Sequence, residues 1–301
     1  MKFNLASIRI LFFCLCMASV GTAAEPVTLR LWANGAPDVT ADQDGDTPDL
    51  IITKVESDVP TAGVIILPGG GYGGHAMDHE GHQFAAWFES LGVSSAICTY
   101  RLRGKGNDGK GYGHPAPMLD AQRAIQTMRT NAQQWNIDPN RIGVIGFSAG
   151  GHLCSTVSTQ FHDANADAND PIDRVSSRPD FSILCYPVIT MDPSFTHGGS
   201  RRNLLGKNPD SDLAKSLSNE TRVTSQTPPT FLFHTVEDKA VPVQNSLRYF
   251  DALIEHGVAS ELHVFPHGHH GLGLAANTPG ASQWPTLCEN WLRELGVVTV
   301  K

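Results

Sequence analysis

The sequence predicts an α/β fold built on an eight-stranded, mostly parallel sheet with helices on both faces. Three observations predict it. Short apolar runs rich in β-branched residues alternate with amphipathic helical stretches along most of the chain. No repeat, heptad pattern or low-complexity tract breaks that alternation. The chain has 301 residues, 41% of them hydrophobic, which is enough to bury one large core.

Strands are expected near Val27 to Ala33, Leu50 to Glu56, Gly63 to Leu67, Ser94 to Arg101, Arg141 to Phe147, Phe181 to Val188, Thr230 to Thr235 and Glu261 to Phe265. The clearest helix follows Pro115 and Pro117 and carries Met118, Ala121, Ile125, Met128 and Trp135 at three- and four-residue spacings. A second starts after Ser148 with Leu153, Val157 and Phe161 on one side. A third runs from about Val243 to His256 and stops at Gly257, and a fourth carries Trp284, Leu287, Trp291 and Leu295. The tryptophans Trp87, Trp135, Trp284 and Trp291 therefore read as core. Thr190 to Thr227 is polar, with a short helix near Ser211 to Ser218, and reads as a lid-like excursion from a single domain spanning residues 25–301.

The first residues place Lys2 and Arg9 ahead of the apolar run Ile10 to Val20 and end in small residues, the pattern of a secretory signal peptide cleaved after Ala24. That run falls short of the roughly 20 residues that span a bilayer, so an uncleaved anchor is the weaker reading. A secreted or periplasmic protein is expected. Lys2 and Arg9 are the only charged residues of the leader, so its removal takes the net charge from -8 to -10 and disfavours nucleic acid as a partner. Cys98, Cys154, Cys185 and Cys288 remain. A core of this size needs no staple, so buried free thiols are expected over a disulfide.

The sharpest motif is Gly146-Phe147-Ser148-Ala149-Gly150, a G-x-S-x-G between a predicted strand and a predicted helix. A turn that tight has no room for side chains at the flanking positions, and it displays the serine at the carboxyl edge of the sheet. The weaker alternative is that Ser148 merely caps the helix. A hydroxyl attacks only when a base takes its proton and a carboxylate orients that base. Glu237 and Asp238 follow one later strand, and His267, His269 and His270 follow the next. The order Ser, acid, His is that of the α/β-hydrolases. Asp238 is preferred as the acid because Asp-x-x-Val-Pro puts it on the turn and lets Val241-Pro242 start the next helix; Glu237 is the alternative. His270 is preferred as the base because Gly271 and Gly273 give its loop close-approach freedom; His269 is the runner-up. His75, His79, His82, His162 and His197 read as solvated loop residues. Neither His267, His269 and His270 nor His79 and His82 have a zinc-ligand spacing, so no metal and no cofactor are expected.

Gly69, Gly71 and Gly74, in "LPGGGYGGHAM", formally match the dinucleotide fingerprint. That reading needs a helix at once and an acidic residue ending the next strand. Here a polar loop runs on to about Glu80 and the next strand ends Thr99-Tyr100-Arg101. Backbone amides for an oxyanion are the better reading, with Gly70 and Gly71 as donors and Ala149 as the third.

With Pro68 to Tyr72, "HPAPMLDAQRAIQ" from His114, "WNIDPNRIGVIGFSAGGHL" from Trp135, "SRRNLLG" from Ser200, "TPPTFLFHTVEDKAVPVQNS" from Thr227 and "HGHHGLGL" from His267, the chain resembles a family of small bacterial α/β-hydrolases. That family includes carbohydrate acetyl esterases and feruloyl-esterase-like proteins, often labelled acetylxylan esterases. The resemblance runs from about Leu29 to Trp291. It implies Ser148 as nucleophile, Asp238 as acid, His270 as base, and Gly70, Gly71 and Ala149 as oxyanion hole, with an acylated carbohydrate as substrate. The family usually shows Gly-Gly-His-Gly-Phe where this chain has His269 and Leu272, so His269 is a candidate for an added polar contact. Tyr72 to Met77 are expected to shape the acyl pocket. Arg201 and Arg202 are candidate contacts to a sugar or carboxylate, or else plain loop residues. Arg101, Asp120 and Arg123 read as an internal network rather than substrate contacts. A peptidase of the prolyl-oligopeptidase kind would share fold and triad but needs a large cap domain. A non-catalytic binding protein on this fold would be expected to lack a triad member.

Overall fold

In a computed structural model, which describes residues 26–39 and 45–298, the eight strands are β1 (Val27–Arg30), β2 (Asp49–Thr53), β3 (Thr61–Leu67), β4 (Ser94–Cys98), β5 (Ile137–Phe147), β6 (Ser182–Cys185), β7 (Thr230–Thr235) and β8 (Ser260–Phe265). The helices are α1 (Gln83–Ser90), α2 (Ala116–Thr130), α3 (Ala149–Thr159), α4 (Gly198–Leu205), α5 (Ser211–Ser216), α6 (Gln244–Glu255) and α7 (Trp284–Glu294). The expected leader lies outside the described residues. One sheet results, in the order β1-β2-β4-β3-β5-β6-β7-β8. The pairs β1-β2 and β2-β4 are antiparallel and every other pair is parallel. The expected eight-stranded, mostly parallel sheet is therefore the architecture observed.

All seven residues of β3 are buried, as a central parallel strand covered on both faces requires. Successive residues serve opposite faces. Ile65 and Leu67 join a core with Ile125 and Met128 of α2, Leu153 and Val157 of α3, and Leu253 of α6. Val64 and Ile66 join the other core with Phe84 and Phe88 of α1 and Trp284 and Trp291 of α7. The four described cysteines are free and buried. None of the described helices is long and apolar enough to cross a membrane.

Polar groups tie α2 and α3 to their surroundings. Asp120 of α2 is fully buried and accepts the backbone amide, Nε and Nη2 of Arg101, each at 2.9 Å, and the Trp32 indole N–H at 2.8 Å. Arg123 pairs instead with Asp170 and Asp173. The internal network expected around these residues is thus two clamps joined by Trp32, whose indole donates to Asp120 while its ring lies 4.8 Å under the Arg123 guanidinium. On α3, His152 is fully buried, and its Nε2–H donates to the Leu217 carbonyl at 2.8 Å. That leaves Nδ1 as acceptor for the Tyr72 hydroxyl, also at 2.8 Å.

Removing one partner of a buried ion pair strands the other charge. Asp120→Ala is therefore expected to lose about 3–5 kcal/mol of unfolding free energy in a urea titration, and a loss below about 1 kcal/mol would refute the clamp. The second expectation concerns pH. Burial lowers the His152 pKa from 6.5 to about 4, and that of His75 likewise to about 4. The unfolded chain then binds more protons than the folded one between those values, so this stability is complete above pH 6.5 and is lost as pH falls toward 4. For His152 alone the loss is up to about 3 kcal/mol. His152→Gln should flatten the dependence of unfolding free energy on pH across that window, and an unchanged slope would count against it.

Candidate active site

The strand β5 ends at Phe147, α3 starts at Ala149, and Ser148 between them holds φ 53° and ψ -117°. For a non-glycine residue that conformation is costly and persists only where neighbours over-determine it. They do: the Ser148 amide donates to the Cys185 carbonyl, while the Ser148 carbonyl accepts the amides of His152 and Val188. The flanking glycines are obligatory for a steric reason. A Cβ on Gly146 would strike the Gly150 carbonyl, and one on Gly150 would strike the carbonyls of Leu67 and Pro68.

His270 reaches Ser148 from the loop after β8. Its Nε2 lies 2.7 Å from Ser148 Oγ and its Nδ1 lies 2.6 Å from Asp238 Oδ2. Asp238 sits on the turn after β7, where its Oδ1 accepts the amides of Ala240 and Val241, both at 2.9 Å. Burial raises the Asp238 pKa, but hydrogen bonds from His234, His270 and the Val241 amide outweigh it and hold the carboxyl well below the usual carboxylate range. An ionised Asp238 accepts the hydrogen bond of Nδ1–H and so keeps the ring proton on Nδ1, which leaves Nε2 with its lone pair toward the serine hydroxyl. Glu237 is exposed and engages His267 Nδ1 at 2.9 Å and the Gly268 amide at 3.2 Å, not His270. His269 is exposed, with Nδ1 2.6 Å from the His270 carbonyl. It edges an open cavity of about 610 Å³ with Glu237, Lys239, Gly268 and His270. Among the described residues no group of three His, Cys, Asp or Glu side chains converges as a metal site would require.

The glycine loop after β3 packs directly on this centre. A Cβ on Gly69 would lie 3.0 Å from Ser148 Cβ and 2.8 Å from the Phe147 carbonyl. Gly70 and Gly71 adopt φ of 131° and 65°, backbone that glycine supplies cheaply. Their amides donate to no group among the described residues.

Two of the expected substrate contacts, Tyr72 and Arg201, turn to other partners. Tyr72 is 1% exposed and its hydroxyl is spent on His152, so its side chain braces α3 from inside. Arg201 turns its Nε to the Met191 carbonyl at 2.9 Å and lines a separate cavity of about 340 Å³ with Asp192, Lys215 and Glu220. Arg202 is exposed on α4. Sequence reasoning directed these side chains at the site from residue type alone, and loops carry no periodicity from which direction can be read.

Glu80 is a residue that sequence reasoning passed over. Only 2% exposed, it accepts the Gly69 amide at 2.8 Å through Oε2 and the Tyr186 hydroxyl at 2.9 Å through Oε1. Tyr186 in turn accepts the Gly273 amide at 2.9 Å and sets its ring edge-on to His270, with centroids 5.2 Å apart. One buried carboxylate therefore joins the glycine loop to the histidine loop. Burial raises its pKa, against the hydrogen bonds from Tyr186 and Gly69. Its segment, "MDHEGHQ", is polar and without period, and gives no signal of this role.

A serine, aspartate and histidine in this chain order and geometry, at the carboxyl edge of a mostly parallel sheet, define an α/β-hydrolase. The solved structures agree. The acetyl ester-xyloside bifunctional hydrolase of Caldicellulosiruptor lactoaceticus is 44% identical and superposes with a TM-score of 0.86 over 93% of this chain and 100% of that one. The carboxylesterase Cest-2923 of Lactobacillus plantarum is 26% identical, with a TM-score of 0.70 over 92% of this chain and 99% of that one. The BD-FAE family model matches residues 49–253, and the chain belongs to that family of α/β-hydrolases. An acetylxylan esterase of Xylanibacter ruminicola is 34% identical over 77% of this chain and 45% of its own length. The endo-1,4-beta-xylanase B of Butyrivibrio fibrisolvens is 37% identical over 77% of this chain and 35% of its own length. The chain thus spans less than half the length of these two relatives.

Glu80→Gln keeps the shape but offers one acceptor where two donors point, so either the Gly69 amide or the Tyr186 hydroxyl loses its partner. The expected cost is about 1–3 kcal/mol in urea denaturation, with faster hydrogen exchange at the Gly69 and Gly273 amides. Unchanged exchange at both would refute the bridge.

Proposed function

We propose that this chain is an exported serine ester hydrolase that removes small acyl groups, acetyl above all, from polysaccharide fragments. The observation that carries the reading is the continuous chain Asp238–His270–Ser148, with contacts of 2.6 and 2.7 Å. In the proposed reaction Ser148 Oγ attacks the ester carbonyl carbon while His270 Nε2 takes its proton. The carbonyl oxygen becomes an anion held by the amides of Gly70, Gly71 and Ala149, the last at the positive end of α3. Collapse breaks the bond to the alcohol, which leaves with the proton from His270. A water, deprotonated by the same imidazole, then attacks the acyl-enzyme and releases the carboxylic acid and Ser148.

The esterase assignment is supported by relatives named as esterases, and the sugar-linked acetyl substrate by two whose names include acetylxylan and acetyl ester-xyloside. The cavity of about 610 Å³ beside His270 leaves room for a sugar. Export rests on the leader reading of residues 1–24. The segment 190–227, carrying α4 and α5, is proposed as the lid over this centre.

Ser148→Ala is expected to reduce p-nitrophenyl acetate turnover by about 10⁴-fold or more with little change in melting temperature. Asp238→Asn should fall by about 10⁴-fold, whereas Glu237→Gln stays within about threefold. Substantial turnover by the Ser148 variant, or equal losses for the two acid variants, would sink the mechanism. Acetate release from acetylated xylan, compared with acetylated pectin and feruloylated arabinoxylan, tests the substrate class.

A further inference from the structure

His197, which reads from sequence as a solvated loop residue, is instead the N-cap of α4. Its Nδ1 accepts the Ser200 amide at 3.2 Å and lies 2.8 Å from the Ser200 hydroxyl. An amide N–H can only donate, so Nδ1 carries no proton and the neutral ring holds its proton on Nε2. Among the described residues Nε2 has no hydrogen-bond partner.

The ring stands over the glycine loop. Its Cε1 is 3.8 Å from where a Cβ on Gly71 would sit, and α4 is held there because Asn203 Nδ2 donates to the Gly71 carbonyl at 2.8 Å. Gly71 is one of the proposed oxyanion donors, so the ring stands beside that part of the centre. An acetyl ester offers few acceptors to a donor in that position. Its methyl has none, and its carbonyl oxygen is claimed in the proposed reaction by three amides. What remains belongs to the alcohol: the bridging oxygen, a neighbouring hydroxyl or a ring oxygen.

We propose that His197 Nε2–H donates a hydrogen bond to a hydroxyl or ring oxygen of the sugar that leaves, rather than to the bridging oxygen that every ester shares, making His197 a specificity-determining residue of the substrate site. This assignment rests on the sugar-ester reading above. Burial, foremost, and the nearby charge of His270 lower the His197 pKa, with Asp238 opposing, which keeps the ring in the neutral form that caps α4.

Asparagine is among the best N-caps but is too short to reach as Nε2 does, so His197→Asn separates the two roles. Its kcat/KM is to be compared with that of the unaltered protein on an acetylated xylo-oligosaccharide and on p-nitrophenyl acetate, whose leaving group has no adjacent hydroxyl. The variant is expected to lose about tenfold on the oligosaccharide, the worth of one neutral hydrogen bond, mainly through KM, and less than about threefold on p-nitrophenyl acetate. Equal losses on both substrates, or none on the oligosaccharide, overturn the assignment while leaving the esterase reading intact. An unaltered protein active on p-nitrophenyl acetate but inert on the oligosaccharide overturns the sugar-ester reading and this assignment with it.

Discussion

Where β3 and β5 leave the sheet as parallel neighbours, their loops touch backbone to backbone, with Gly150 lying against the carbonyls of Leu67 and Pro68. Contact that close leaves no room for a Cβ at Gly150 on the helix turn or at Gly69 on the glycine loop. Once it is made, the geometry of the centre follows. Ser148 stands beside Gly69, α3 begins at Ala149 against the same loop, and the histidine loop closes from the third side. A substituent at Gly150 would therefore separate the serine from its proposed oxyanion donors without altering either chemically.

The remaining links are polar and buried, and their cost explains their form. A carboxylate removed from water is tolerated only when donors replace the lost solvation. Glu80 meets that condition with one donor from the glycine loop and one from Tyr186, which itself receives the histidine loop through Gly273. Apolar packing could fill the same volume but would not fix directions, since dispersion is indifferent to rotation of a loop. Hydrogen bonds to Gly69 and Gly273 set where two backbones point. Asp238 shows the same logic at the acid, where the amides of Ala240 and Val241 hold one oxygen so that the other faces His270.

The parts of this arrangement legible in the sequence are those written locally. The strand, turn and helix around Ser148 need glycines at fixed offsets, and the alternation of β3 through β8 with helices gives a parallel sheet whose loops converge on one edge. Asp238 could be preferred over Glu237 because Val241-Pro242 marks the turn. Contacts between distant segments left no such trace. Tyr186 and Glu80 are 106 positions apart, one at the end of a predicted strand and one in a polar loop, and neither pattern names the other as partner. Gly198 and Gly199 open α4 against helix propensity, so the helix that positions His197 was not expected; tertiary contacts to Gly71 and His114 hold it. Tyr72 and Arg201 had suitable chemistry for substrate contact, but side-chain direction in a loop is decided by what the loop packs on.

These two kinds of link divide the molecule by what each can change without harm. The groups proposed for bond making and breaking come from the carboxyl edge of the sheet and are held by backbone contacts, a strained serine and buried carboxylates, each sensitive to the loss of a single atom. The polar segment from Thr190 to Thr227 meets that edge differently. Apart from the apolar seat of Leu204, α4 attaches to the glycine loop region largely through backbone carbonyls and amides: Asn203 to Gly71, Arg103 to Asn203, and His114 to Leu204. Backbone attachment leaves the outward side chains of α4 free to vary while the loop beneath them stays in place. A hydrolase built this way keeps one reaction centre and alters its choice of alcohol by exchanging residues such as His197, whose cap to Ser200 anchors it independently of Ser148, Asp238 and His270.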